Sequence, residues 1–410
     1  MGANHYTVVI PTREHADTLY YTLKTCVNQD YDKLTILVCD NNSQDNTKEI
    51  VESFKDSRIF YINPGERLSM SENWEFALDH VCGDFVTFIG DDDGLLMGSI
   101  NMVDKLFSEN NYEAITWKKI EYCWSSHIIF DYRNLLKISL DNRCFVFNGK
   151  KKINELIKGI EAYNRLPCIY NSFVKIKLIE RIKEKYGSPF FRSLSPDIYS
   201  SIAIAHNINE YLYTNRPLSV NGASGHSNGT SFIHGTEANN GNNEKLTFLK
   251  EFTQHKKKFQ ISSINYAVMD SLLAFEEKTG KKNLINRPFW ANRILKELQD
   301  KEPDLYLNSV KQIMLNKEFF GVESTFENII SKYPNHYRPM IIQKGYLRNN
   351  NELSLDARNY DILNVFDASI FCSKLLQDIK PDVTPETKKS SSFFKNSIFL
   401  SKFHRHFLKD

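Results

Sequence analysis

The chain has 410 residues, 41% of them hydrophobic, and a net charge of +2. That is enough for roughly two or three domains and a large core, and so balanced a charge gives no ground for a nucleic-acid partner. Seven cysteines form neither a CxxC pair nor a His-interleaved cluster. This excludes a zinc scaffold and a disulfide framework, and fits reduced thiols in the cytoplasm.

The start, MGANHYTVVIPTR, has no secretory apolar region, and no window of about 18 apolar residues predicts a membrane span. Tyr6 to Ile10 reads as a buried strand, PTREHADT as a loop and Leu19 to Asn28 as a helix. Leu34 to Cys39 is a second strand, followed by DNNSQDNT and a helix through Ile50 and Phe54. Arg58 to Ile62 is a third strand, and Ser69 to Glu72 is a capping box opening a helix through Leu78. Phe85 to Ile89 is a fourth strand. Strands alternating with helices predict an α/β fold with a parallel sheet covered on both faces. Residues 114–150 read as strand-rich and 151–206 as helical, with a strand or turn near PCIYNSFVK. Pro217 to Gly235, rich in Gly, Ser and Asn, reads as a long flexible loop, and Asn239 to Asn243 as a domain boundary.

In such a sheet, ligands bind beyond the carboxyl ends of the strands. Pro11, Thr12 and Arg13 follow the first strand, Asp40 and Asn41 the second, and Asp91, Asp92 and Asp93 the fourth. Three adjacent carboxylates repel one another unless a cation sits among them, and hard carboxylate oxygens suit Mg²⁺ or Mn²⁺. The plainer alternative is a solvated DDDG turn.

VVIPTRE, LVCDNNSQDNT, NWEFAL and FVTFIGDDDG, in that order and spacing, resemble the successive motifs of inverting family 2 glycosyltransferases. The resemblance covers roughly residues 5–230 and implies a GT-A (Rossmann-like) nucleotide-sugar-binding domain, taken as 1–235; by their own residue pattern 244–378 read as a mainly helical C-terminal domain. Residues 379–410 would be a linker and tail. It implies transfer of a sugar from a nucleotide-sugar, UDP-linked, to a glycan or lipid-linked glycan, with inversion and with Mn²⁺ or Mg²⁺ as cofactor. Pro11, Thr12, Arg13, Glu14, Asp40, Asn41, Asp91 and Asp92 then correspond to the nucleotide site. Asp93 and Asp91 correspond to the metal-binding DXD region, Asp93 first. Two departures stand out. Gly90 occupies the place of the first Asp of the usual DXDD run, and DNNS stands where DDGS is frequent.

Inversion needs a base for the acceptor hydroxyl. Asp197, in FRSLSPDIYSS, resembles the family's later acidic motif. Its alternative role is helix-dipole complement behind a Ser195 cap and Pro196. His226, in a Gly/Ser loop, is a further candidate metal ligand by the same resemblance, and His206 reads as a C-terminal helix cation. Trp74 and Trp117 read as core, and Asn73 as core or donor-facing.

In the tail, Phe393, Phe399, Leu400, Phe403, Phe407 and Leu408 share one helical arc, and Lys395, Lys402, Arg405 and Lys409 the other. A basic amphipathic helix over 393–409 fits a membrane surface, which would put the protein on the inner face of the membrane. Docking on the protein's own helical domain fits it equally. Oligomeric state is open. PTREHADT lacks the glycines of a nucleotidyltransferase loop or a dehydrogenase GxGxxG. A non-catalytic carbohydrate-binding or assembly subunit with the same fold is the rival from another class.

Overall fold

The computed structural model describes residues 4–227, 229–230, 259–281, 284–337, 346–348, 351–377 and 382–383. The boundary at Asn239 to Asn243 and the amphipathic tail over 393–409 lie outside the described residues.

The first elements alternate as expected: β1 (Tyr6–Thr12), α1 (Ala16–Val27), β2 (Leu34–Asp40), α2 (Thr47–Ser53), β3 (Ile59–Ile62), α3 (Met70–Leu78) and β4 (Phe85–Phe88). β4, β1, β2 and β3 lie side by side and parallel, with Thr12 opposite Asp40. Side chains alternate across a strand, so each strand feeds two cores. Val9, Leu37, Val86 and Phe88 enter one, with Trp74 and Leu78 of α3. Val8, Ile10, Ile36 and Val38 enter the other, with Leu19 and Leu23 of α1. The expected capping box opens α3: the Glu72 N–H donates to Ser69 Oγ, and the Ser69 N–H donates to Glu72 Oε2.

The chain continues through β5 (Gly94–Leu95), α4 (Ser99–Glu109), β6 (Ala114–Trp117), β7 (Ile120–Cys123), β8 (Leu135–Ser139), β9 (Arg143–Asn148), α5 (Gly149–Ile157), β10 (Ser172–Lys175), α6 (Ile176–Tyr186), α7 (Pro196–Asn207), β11 (Glu210–Thr214) and β12 (Ser219–Ala223). β10 runs antiparallel between β4 and β6, extending the parallel core into a mixed sheet.

A helical region follows: α8 (Ile264–Thr279), α9 (Arg287–Leu298), α10 (Pro303–Leu315), α11 (Lys317–Phe320) and α12 (Phe326–Lys332). The last elements are β13 (Tyr346–Arg348), β14 (Glu352–Asp356), α13 (Val365–Leu376) and β15 (Asp382–Val383). Among the described residues there are two sheets, ordered β15-β9-β11-β6-β10-β4-β1-β2-β3 and β13-β14-β8-β7-β12-β5.

The described residues after 244 are mainly helical, as expected; β14 joins them to the N-terminal part by pairing with β8, Leu353 opposite Ile138, and α13 packs on α1 and β12. Two expectations change. Pro217 to Gly235 is not one long loop, because Ser219–Ala223 pairs with β7 and β5. His206 is not a helix-end cation. Burial beside the Lys281, Lys185 and Lys150 ammoniums pushes its pKa down to about 4, and its Nε2 lies 2.8 Å from Lys281 Nζ.

Candidate active site

The carboxyl ends of β1, β2 and β4 open onto a cavity of about 680 Å³. Pro11, Thr12, Arg13, Asn41, Asp91, Asp92 and Asp197 all line it. Among the described residues no partner reaches the buried Thr12 Oγ1. Asn41 exchanges two 2.8 Å hydrogen bonds with the Leu68 main chain, which fixes its amide at the rim. Asn73 and the buried indoles of Trp74 and Trp117 also reach the wall, so core and cavity residues overlap here.

Two of the expected nucleotide residues are placed elsewhere. Glu14, in a left-handed conformation at φ 57°, accepts from the Gln44 and Asp45 N–H groups and pairs with Arg67. It ties the loop after β1 to the loop after β2. Asp40 is buried and accepts from Tyr61 Oη at 2.6 Å, from the Ser43 N–H at 3.0 Å and from Asn63 at 3.3 Å. With three donors already on it, the carboxylate braces the loop and does not form the cavity wall.

The Asp triplet is no solvated turn: Asp91, Asp92 and Asp93 are 8%, 6% and 2% exposed. Each carboxylate has its own partners, which is how three like charges coexist there. Asp91 Oδ2 lies 2.9 Å from His15 Nδ1. Asp92 Oδ2 accepts from the Ser224 N–H at 3.0 Å and from Ser224 Oγ at 2.7 Å. Asp93 accepts from the Gly90 and Gly222 N–H groups at 2.8 and 2.7 Å, and from Tyr170. Asp93, the first metal ligand by resemblance, is therefore committed to main-chain donors and does not line the cavity. Asp91 and Asp92 do. The departure at Gly90 has a steric reason, since a Cβ there would meet Tyr170 Oη at 2.5 Å.

Burial, then the neighbouring Asp93 and Asp91 charges, push the Asp92 pKa up to about 7. Burial also raises Asp93, against the pull of Lys119. His226 approaches the triplet through His15, the two rings being 5.2 Å apart. Asp91 and Asp92 offer the carboxylate oxygens that suit Mn²⁺ and Mg²⁺, and the imidazoles of His15 and His226 lie beside them. Among the described residues, no three His, Cys, Asp or Glu side chains converge into a cage. An ion held by these two carboxylates would need phosphate or water oxygens to complete its shell, as Mg²⁺ sites usually do.

Asp197 stands in the first turn of α7 behind Pro196, and Ser195 makes no side-chain cap. Burial raises its pKa, opposed by the Ile198 N–H and by Lys119. Lys119 lines the cavity with its Nζ 4.4 Å from the Tyr170 ring centre. His15, Lys119, Tyr170 and Ser224 were not singled out from the sequence. His15 carried the only local signal, its place inside PTREHADT.

Residues 7–169 match the sequence model of Glycosyl transferase family 2. The chain is 37% identical over 97 residues to a GalNAc(5)-diNAcBac-PP-undecaprenol beta-1,3-glucosyltransferase of Campylobacter jejuni, covering 23% of this chain and 31% of that protein. It is 30% identical over 181 residues to the UDP-Glc:alpha-D-GlcNAc-diphosphoundecaprenol beta-1,3-glucosyltransferase WfaP of Escherichia coli, covering 38% of this chain and 72% of that one. The chain thus spans under a third of the first relative and nearly three quarters of the second. The S. aureus TarS 1-349 structure in complex with UDP-GlcNAc is similar at a TM-score of 0.44 and 14% identity, over 82% of this chain and 93% of that one. The chain belongs to glycosyl transferase family 2, and residues 7–169 lie in its glycosyltransferase domain.

Proposed function

We propose that this protein transfers one sugar from a UDP-sugar to a lipid-linked glycan, with inversion and with a divalent ion. The observation that carries the reading is convergence. The loops after β1 and β2, the buried Asp turn after β4 and Asp197 at the head of α7 face one cavity. Thr12, Arg13 and Asn41 would hold the nucleoside end. Asp91 and Asp92, with His15 and His226 beside them, would hold Mn²⁺ or Mg²⁺, whose charge would stabilise the departing diphosphate. Asp197 would accept the proton of the acceptor hydroxyl. Its raised affinity for protons suits a general base, which works best with a pKa near the operating pH.

Both relatives are named as glucosyltransferases acting on undecaprenol-diphosphate-linked glycans. We carry that acceptor class, and surface polysaccharide synthesis, to this chain. Among the described residues no helix is long and apolar enough to cross a membrane.

The test is Asp197→Asn, assayed for UDP release from UDP-glucose with GlcNAc-diphosphoundecaprenol. UDP affinity should stay within about twofold while turnover falls by roughly a hundredfold or more. Near-normal turnover removes Asp197 as base.

A further inference from the structure

α8 belongs to the helical region, yet it reaches the cavity. Ile264 and Ala267 line the wall beside Leu194, Ser195 and Asp197. At helical spacing Ser271 lies on the same stripe, next to Asp270. Asp270 Oδ2 accepts from the Leu194 N–H at 3.1 Å, and Ser271 Oγ lies 2.8 Å from Ser193 Oγ. The Ser195 N–H donates to Ser193 Oγ at 3.1 Å.

α3 holds the same segment from the other side. Ser71 Oγ donates to the Ser193 carbonyl at 2.6 Å. Glu75 Oε2 accepts from the Phe190 and Phe191 N–H groups at 2.7 and 3.0 Å. Residues 190–195 therefore enter α7 clamped between two helices.

Two features set this apart from ordinary packing. α7 has no side-chain cap of its own, so tertiary bonds decide where its first turn sits. And Asp270 is a buried carboxylate in a helix whose neighbours Ala267, Met269 and Leu272 are core. Burying a carboxylate is costly unless its oxygens are bonded, and Asp270 sets one of its oxygens on the Leu194 N–H of this segment, which points to a positional role.

We propose that Asp270 is a positioning residue for sugar transfer: through it α8 fixes the main chain that carries Asp197, while Ile264 and Ala267 close the acceptor end of the cavity. The inference deepens the reading of Asp197 as base and rests on it.

The experiment compares Asp270→Ala, Asp270→Asn and Asp197→Asn in the full chain. Three quantities are read: UDP affinity with Mn²⁺, UDP release from UDP-glucose with GlcNAc-diphosphoundecaprenol, and amide hydrogen exchange across residues 190–200. Asp270→Ala should lower turnover at least about tenfold, since small misplacements of a reacting group are costly. It should speed exchange across 190–200 and leave UDP affinity within about twofold. Asp270→Asn keeps an acceptor oxygen for Leu194 and should restore both. Unchanged exchange and turnover in Asp270→Ala would overturn the proposal. So would loss of UDP affinity in step with turnover, or an Asn variant as impaired as the Ala variant. If Asp197→Asn stays active, the base reading falls, and the exchange comparison still decides whether Asp270 holds the segment.

Discussion

Gly222 makes the sharpest structural prediction. A Cβ at this position would lie 1.7 Å from the Asp92 carbonyl oxygen, 2.6 Å from its carbon and 2.8 Å from Trp124 Nε1. Ordinary carbon–oxygen contact begins at roughly 3.3 Å, so β12 and the Asp turn must part by about 1.6 Å. Neither neighbour can yield alone. The Asp92 carbonyl already accepts from Trp124 Nε1 at 3.1 Å, and the Gly222 N–H donates to Asp93 at 2.7 Å. Overpacking of this kind costs roughly 1–3 kcal/mol, and a lost hydrogen bond to a charged group costs roughly 1.5–3 kcal/mol more. Gly222→Ala should therefore lower thermal stability and weaken Mn²⁺-dependent UDP binding by at least about tenfold, or roughly 1.4 kcal/mol. Gly229→Ala is the stability control, because among the described residues no heavy atom lies within 4 Å of a Cβ placed there. The assay is a melting curve with calorimetry of UDP. A Gly222→Ala protein that melts like the control and binds UDP normally would refute the packing on which the site is built.

Other outcomes follow from the same geometry. Asp92 has a folded pKa near 7, above its ordinary value, so its stabilising contribution is complete at low pH and is lost as pH rises towards 7. Melting in EDTA should fall between about pH 4.5 and 7.5, and Asp92→Asn should flatten that slope. An equal slope in the variant would remove Asp92 as its source. His15→Ala should weaken Mn²⁺ dependence more than UDP binding in EDTA, because His15 holds Asp91 at 2.9 Å. Equal loss under both conditions would mean a purely structural His15. Thr12→Val removes a hydroxyl that has no partner among the described residues, so it should spare the melting temperature and weaken UDP binding. A large stability loss with intact binding would reverse that reading.

β1, β2 and β4 were legible because a parallel sheet buried on both faces leaves continuous apolar runs, such as YTVVI and LTILVC. The capping box at Ser69 was legible because its two hydrogen bonds are local. β12 was hidden by its composition. SVNGA reads as loop, and its glycine is there so that the Asp92 main chain can approach. β14 was hidden by distance, since its partner β8 lies more than 200 residues earlier. The Asp triplet was visible as a cluster, but not which carboxylate faces the cavity. The turn closed by the Gly90 and Gly222 N–H groups decides that by drawing Asp93 inward. His206 was misread for a similar reason, as the burial that lowers its pKa, and the Lys281 ammonium that adds to it, are set by packing distant in sequence.

The Asp turn and the loops after β1 and β2 are proposed to form a nucleotide–metal site. Calorimetry of UDP against the purified protein, first with Mn²⁺ and then with EDTA, decides this. Binding with Mn²⁺ should fall sharply in EDTA. Equal affinity in both, or none for UDP, GDP, CDP or dTDP in either, would contradict it.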